Sequence, residues 1–498
     1  MSVIDISALT FSYEGSSDNI FENVSFRIDT DWKLGFTGRN GRGKTTFLNL
    51  LLGKYEYSGT ISADTDFEYF PYAVSDESAE TLDIIEEICP CCAYWELVRE
   101  LNHLETDEEV LYRPYSTLSY GERTKVQLAA MFLRENSFML IDEPTNHLDM
   151  HGREVLSRYL NGKKGFILVS HDRMFLDGCV DHILAINRSD IEVTKGNFST
   201  WLENKERRDS FEFAENEKLK REIKRLEKTA AEKARWSDSA EKRKIGIDPV
   251  KTEKSLTRRA NEGAKAKKAM KRAKAIETRC SEAIAEKSSL LKNIERSDAL
   301  KIRQSEYHSD TLISFSDVSV SFGGRDIFTG LSFSVSRGER VLLSGRNGSG
   351  KSTVMKLICG GDIPYSGSIY MGSGLKISYV PQDASWLSGS LYDYAEKNGA
   401  DTSLMFAILR KLDFSREMFD KDMSGFSSGQ KKKVLLAASL CSSAHIHIWD
   451  EPMNFIDVIS RMQLERLIDE YRPTLIFAEH DRAFCKNAAD KIISLDKC

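Results

Sequence analysis

Gly38-Arg39-Asn40-Gly41-Arg42-Gly43-Lys44-Thr45 returns later in the chain as Gly345-Arg346-Asn347-Gly348-Ser349-Gly350-Lys351-Ser352. Both match GxxxxGK[ST], which between a strand and a helix makes a phosphate-binding loop. The run at 33–37 is apolar and β-prone, and residues 46–52 continue as a helix. Glycines let successive backbone N–H groups converge on phosphate, and the helix N-terminus adds a favourable dipole. Lys44 and Lys351 are expected to reach β- and γ-phosphates. Gly38, Asn40, Gly41, Gly43, Thr45 and Thr46 would line one nucleotide, and Gly345, Asn347, Gly348, Gly350, Ser352 and Thr353 the other. Turn-forming glycines could explain one such loop, but not two with matching partners downstream.

Those partners repeat as well. Ile141-Asp142-Glu143-Pro144 returns as Trp449-Asp450-Glu451-Pro452, and Ser170-His171-Asp172-Arg173 as Glu479-His480-Asp481-Arg482. The offsets at the lysine, glutamate and histidine are 307, 308 and 309. Spacing this constant means two copies of one domain. The expected boundaries are 1–203 for the first, 204–305 for an intervening segment and 306–498 for the second. Apolar runs at 138–141 and 165–169 read as strands buried on both faces, and alternation with helical stretches gives α/β domains with largely parallel sheets.

Thr45 and Ser352, with Asp142 and Asp450 at strand ends, offer the hard oxygen ligands that Mg²⁺ takes in phosphoryl-transfer sites. Glu143 and Glu451 follow the aspartates and would polarise the attacking water as general base or by orienting it. A capping or salt-bridge role is the plainer reading, and repetition argues against it. His171 and His480 would reach γ-phosphate through a ring N–H; a lone histidine would more often be structural.

Leu118-Ser119-Tyr120-Gly121-Glu122 and Phe426-Ser427-Ser428-Gly429-Gln430, each between its loop and its Asp-Glu pair, resemble the LSGGQ signature of ABC ATPases. That resemblance implies head-to-tail pairing of the two domains, with each ATP held between one phosphate loop and the other domain's signature. One composite site would join Lys44, Asp142, Glu143 and His171 to Ser427, Gly429 and Gln430. The other would join Lys351, Asp450, Glu451 and His480 to Ser119, Gly121 and Glu122. Tyr13 and Phe322 stand where the family stacks an aromatic on adenine, although a core aromatic is the simpler assignment. Val380-Pro381-Gln382 matches the family's Q-loop, whose glutamine contacts Mg²⁺ and water. The first copy has Phe70-Pro71-Tyr72 instead, so unequal sites are expected. His445 and His447 are read as edge or strand-end residues, not ligands.

The 498-residue chain has a net charge of -6, 41% hydrophobic and 29% charged residues, and no apolar run near the roughly 20 residues of a membrane helix. The N-terminus shows no secretory pattern, and nine mostly scattered cysteines fit a reducing cytoplasm. Cys89-Pro-Cys91-Cys92 is the one cluster, with no second Cys/His pair at zinc spacing, and is read as ordinary thiols.

Charge is segregated. Residues 205–304 carry 30 Lys/Arg against 18 Asp/Glu, a net of +12, which leaves -18 for the remainder; within 233–274 the ratio is 15 to 5. Apolar residues at 219, 223, 226, 230 and 234 make a helical stripe, a second recurs from 273 to 294, and Gly246 and Pro249 break helix between them. Two long antiparallel helices with a tip near 244–256 follow. Mixed charge along a shaft is usually a solvated helical face, but the basic excess suggests a polyanion as partner.

Twin cassettes, a charged linker and Gly196-Asn197-Phe198-Ser199-Thr200-Trp201, similar to a "GNYSxY" element, make the chain resemble the ABC-F family. That implies ATP hydrolysis with Mg²⁺ by a cytoplasmic monomer with no obligate protein partner and no membrane domain. It also implies binding at the ribosomal E site, with the linker near P-site tRNA, 23S rRNA and the peptidyl-transferase centre. RNA contacts would fall to Lys242, Arg243, Lys244, Ile245, Ile247, Val250, Lys251, Lys254, Arg258 and Arg259. The short first domain and long linker look like the branch conferring lincosamide, streptogramin A and pleuromutilin resistance. A housekeeping translation factor is the alternative within the family, and the ATPase subunit of a transporter the alternative outside it. Chromosome-associated ABC ATPases instead insert far longer coiled coils within one cassette.

Overall fold

The computed structural model describes residues 2–14, 19–146, 148–187, 190–245, 271, 278, 279, 305, 307–412 and 414–496. The chain forms two compact units: Met1–Trp201 together with Ala299–Cys498, and Leu202–Asp298.

In the first unit two α/β cassettes each pair a mainly parallel sheet with a small antiparallel one. The first parallel sheet runs Asp66–Phe70, Ser137–Asp142, Phe166–Val169, Lys33–Thr37, His182–Asn187, with Asp190–Lys195 added antiparallel at the edge. The second runs Ile377–Val380, Ile446–Asp450, Leu475–Ala478, Arg340–Ser344, Lys491–Ser494, parallel throughout. In both, the strand leading into the phosphate loop lies beside the strand ending at the histidine, and the Asp-Glu strand is one place further out. The carboxyl ends of three strands therefore meet at one edge, where open α/β sheets place their ligands. Strands Phe166–Val169 and Leu475–Ala478 are buried at every position, which is why they read as unbroken apolar runs.

Three-stranded antiparallel sheets, Phe21–Asp29/Val3–Phe11/Ser58–Ser62 and Arg325–Ser336/Thr311–Phe322/Ser366–Met371, cover the loop helices Lys44–Leu51 and Lys351–Ile358. A helical layer packs against the other face. In the second cassette it forms a core of Leu391, Met405, Leu409, Leu436, Trp449 and Phe477.

His447 is expected at a sheet edge or a strand end. It is the second residue of Ile446–Asp450, which is an interior strand and not an edge one, and it is buried. Its Nδ1 is 3.1 Å from the Ser439 hydroxyl, and burial lowers its pKa to about 4, so it sits in the sheet as a neutral ring. His445 lies just before that strand, where its Nδ1 accepts from the Lys376 N–H at 3.0 Å.

The helix Phe198–Ile245 spans 48 residues, about 72 Å at 1.5 Å per residue. Its start is fixed by Gly196-Asn197-Phe198-Ser199-Thr200-Trp201. The Asn197 side-chain oxygen accepts from the Thr200 N–H at 3.1 Å, Asp177 accepts from the Ser199 N–H at 2.8 Å, and Phe198 and Trp201 are buried. The expected helix break at 246–250, the tip and nearly all of the return arm lie outside the described residues, with Ile247, Val250, Lys251, Lys254, Arg258 and Arg259 among them. Lys242, Arg243, Lys244 and Ile245 end the described helix. No described helix is long and apolar enough to cross a membrane.

Candidate active sites

Gly43 and Gly350 sit at φ 94°, a conformation that favours glycine. A Cβ there would strike Ile20 at 2.5 Å and Ile327 at 2.7 Å. Each hands over to a helix whose N-terminus has no side-chain cap, so the first-turn N–H groups face the loop. The buried Lys44 ammonium donates to the carbonyls of Gly38 (2.8 Å) and Arg39 (3.3 Å) and to Asn40 Oδ1 (3.3 Å). Lys351 donates to the carbonyls of Gly345 (2.7 Å) and Arg346 (3.0 Å). Burial lowers both lysine pKa values, against neighbouring carboxylates that raise them. A cation under a loop of converging amides fits a polyphosphate.

The Thr45 hydroxyl donates to Asp142 Oδ2 at 3.1 Å, and Ser352 is hydrogen-bonded to Asp450. Burial raises the pKa of both aspartates. Hydroxyl and carboxylate oxygens at one strand end are the donor set Mg²⁺ takes, so the residues fit it. Tyr69, which the sequence reading passed over, also donates to Asp142 Oδ2, at 3.0 Å.

Glu143 and Glu451 occupy left-handed backbone, φ 52° and 46°, each with its N–H bound to the neighbouring strand, on Val169 O and Ala478 O. Such strain persists where surroundings enforce it and is concentrated at working sites. His171 Nε2 stands 3.3 Å from Glu143 Oε1, and His480 Nε2 3.7 Å from Glu451 Oε1. Burial lowers the pKa of His171 well below its usual value and that of His480 to about 4, so both are neutral. Burial, then Asp142, pushes Glu143 up to about 8. Among the described residues, the buried Glu143 Oε1 and His480 Nε2 find no hydrogen-bond partner, and both sit where an attacking water and a phosphate oxygen would be handled.

The two sites differ as Tyr72 and Gln382 imply. Gln382 Nε2 donates to Glu451 Oε2 at 2.7 Å, and Asn454 Nδ2 donates to the same oxygen at 2.6 Å. Tyr72 turns its hydroxyl to Glu68 at 2.9 Å instead.

The cassettes meet face to face. Asn40 Nδ2 donates to Phe455 O at 2.8 Å, and a Cβ on Gly429 would fall 2.3 Å from Phe455 O and 3.2 Å from Asn40 Nδ2. The second signature thus lies against the first phosphate loop. In the other site Asp149, Met150 and His151 line a cavity of about 150 Å³ with Gly345, Arg346, Lys351 and His480. Gly121 packs on Leu148 just before that segment. Arg173 pairs with Glu465, and Arg482 with Glu154 at 2.7 Å, across the interface.

Asp149 and Asp457 were missed, though Leu148-Asp149 and Ile456-Asp457 repeat at the same 308-residue offset as the glutamates. Glu122 and Gln430 accept through their side-chain oxygens from Ser119 N (2.7 Å) and Ser427 N (2.9 Å) in capping boxes, and so hold the signature serines. Tyr13 is half-exposed, with its hydroxyl 2.8 Å from the Thr46 hydroxyl, and Phe322 is exposed at a hairpin end.

Two glycine loops over uncapped helices, paired with Asp-Glu strand ends and facing signatures, define a twin-cassette nucleotide triphosphatase. The family model described as "ABC transporter" matches residues 21–146 and 328–454. The chain belongs to this family; it binds ATP and is an ATPase. It is 26% identical over 494 residues to "Ribosome protection protein VmlR" of Bacillus subtilis (strain 168), covering 96% of this chain and 84% of that protein. It is 27% identical over 528 residues to "ATP-binding protein Uup" of Buchnera aphidicola, covering 100% and 81%. Among solved structures, an archaeal ribosome recycling factor, aABCE1, in complex with the stalk protein aP1 aligns with TM-score 0.63 at 18% identity, covering 98% of this chain and 87% of that one. That likeness concerns the fold.

Proposed function

We propose that this chain is an ATP-dependent ribosome-binding protein that protects the ribosome from antibiotics acting at the peptidyl-transferase centre. In this reading it occupies the E site in its ATP-bound form, and its linker displaces drug through P-site tRNA and 23S rRNA. The observation that carries it is the 48-residue helix that leaves one complete cassette and forms the first part of a segment, 205–304, with a net charge of +12. An ATPase needs no such element, whereas a basic rod suits a polyanion with a shaped site. A relative named as a ribosome protection protein, matched along 96% of this chain, supports it. The domains are taken as 1–203, 204–305 and 306–498, in a cytoplasmic monomer.

Each ATP would lie under a phosphate loop and against the opposite signature: Lys44, Asp142, Glu143 and His171 with Ser427 and Gly429, and Lys351, Asp450, Glu451 and His480 with Ser119 and Gly121. Mg²⁺, held by Thr45 with Asp142 and by Ser352 with Asp450 and Gln382, would neutralise phosphate charge. Glu143 and Glu451 would take the proton of the attacking water. Tyr13 and Phe322 would stack on adenine. Phosphate shared between the cassettes holds them closed, and hydrolysis releases them.

The test is co-sedimentation of the Glu143→Gln/Glu451→Gln protein with ribosomes, beside drug susceptibility of a sensitive host expressing the wild type. ATP-dependent ribosome binding with raised resistance to lincosamides, streptogramin A or pleuromutilins is expected. Shortening 245–250 should abolish resistance and leave ATPase activity and ribosome binding intact. Binding without resistance would make it a housekeeping factor, and recovery with membranes would make it a transporter subunit.

A further inference from the structure

Lys432 lies one turn into the second signature helix, Ser428–Cys441, and is 1% exposed. A buried lysine is rare unless its charge is fully met. Here the ammonium donates to three carbonyls, one per N–H: Pro381 O (2.8 Å), Asp450 O (3.1 Å) and Gln382 O (3.2 Å). Two belong to the Q-loop and one ends the Asp-Glu strand. The lysine therefore ties together the backbone of the two segments that carry Gln382 and Glu451, whose side chains meet at 2.7 Å.

The first cassette makes only the Q-loop half of this join, and by other means. The residue matching Lys432 is Thr124, whose hydroxyl donates to Tyr120 O within its own helix at 3.0 Å. Gln127 takes over, donating to Tyr72 O at 3.1 Å and accepting from the Tyr72 N–H at 3.2 Å. The matching residue in the second helix is Leu435. In each cassette, then, the helix that starts at the signature serine sends one side chain to the Q-loop backbone. Only in the second does that side chain also reach the Asp-Glu strand.

We propose that Lys432 is a positioning residue for hydrolysis at the second site, fixing Gln382 against Glu451 from the helix whose N-terminus caps the opposite ATP. Closure over the first nucleotide would thereby be felt as the aim of Gln382 over the second. The inference rests on the water-orienting role assigned to Gln382 above.

The experiment is a double-mutant cycle in a Glu143→Gln background, where only the second site turns over. Lys432→Met keeps the stem and removes all three donors; Lys432→Gln keeps a shorter donor. The expected result is a fall in kcat of about 10-fold for Met and less for Gln, with KM for ATP within about twofold. In a Gln382→Ala background the same Lys432 substitution should change kcat by less than twofold, because the group it positions is gone. Equal losses in both backgrounds would overturn the proposal, as would unchanged kcat or failure of both variants to fold, which would leave Lys432 a purely structural residue. If Gln382→Ala alone leaves turnover unchanged, the role of Gln382 falls first, and with it the route through which Lys432 acts.

Discussion

At the scale of single residues, the glutamates carry the sharpest expectation. Glu143→Gln and Glu451→Gln together should slow ATP hydrolysis by roughly 10²–10⁴ and leave ATP binding intact, as loss of acid–base assistance does. Steady-state ATPase rates beside nucleotide binding check this, and a normal rate in the double variant would remove both from that role. The single variants should differ. Glu451 is held by Gln382 and Asn454, whereas Oε1 of Glu143 finds no hydrogen-bond partner among the described residues. The lysines, aspartates, glutamates and histidines were legible because a short motif with fixed spacing encodes them, twice. Tyr69 and Lys432 were not. Each acts across the fold, on Asp142 from a neighbouring strand and on the Q-loop from a helix about 50 positions away, and no local pattern records such a meeting. The half-exposed Tyr13 rests edge-on against Phe11 and Tyr55 as well as on Thr46.

Among elements, the second signature helix and the helix Val458–Tyr471 are locked by a buried ion pair. Lys433 donates to Asp457 Oδ2 at 2.7 Å, Asp457 is fully buried, and it also accepts from Ser460 N at 2.9 Å as the helix cap. Burial alone would raise its carboxyl, but the charge and hydrogen bond of Lys433 hold it well below the usual carboxylate range. Asp457→Asn keeps the cap and removes the charge, leaving Lys433 buried without its counter-ion. A loss of about 3–5 kcal/mol is expected, read by urea unfolding at neutral pH. The sign with pH follows from the depressed value. The aspartate's contribution is present above its unfolded pKa of about 4 and fades as pH falls toward the folded one, so wild type and variant should converge in acid. The strands were readable from sequence because burial on both faces leaves only apolar residues. His447 was misplaced because a polar side chain in an interior strand is tolerated only with a partner, and Ser439 lies on a helix the strand's own sequence does not reveal.

On the scale of the whole molecule, the two cassettes hold each other through Arg173–Glu465 and Arg482–Glu154 as well as through the nucleotide sites. The first pair is nearly buried, with side chains 14% and 10% exposed, and should matter more than the second, whose side chains are about half exposed. Glu465→Arg should weaken ATP-driven closure, and Arg173→Glu added to it should restore closure; a distance label across the cassettes reports both. The duplication and the separate basic segment were plain in the sequence, since a repeat and a charge shift need no tertiary information. Which faces of the cassettes meet came instead from the resemblance, because an interface leaves no period of its own. Two unequal sites in one closed body also have a kinetic meaning. If either nucleotide suffices to keep the halves together, the slower site alone sets the residence time on a partner, and the faster one spends its cycle early without effect. The substitution of tyrosine for glutamine at position 72 would then act as a timer, lengthening occupancy without altering a single contact with whatever is bound.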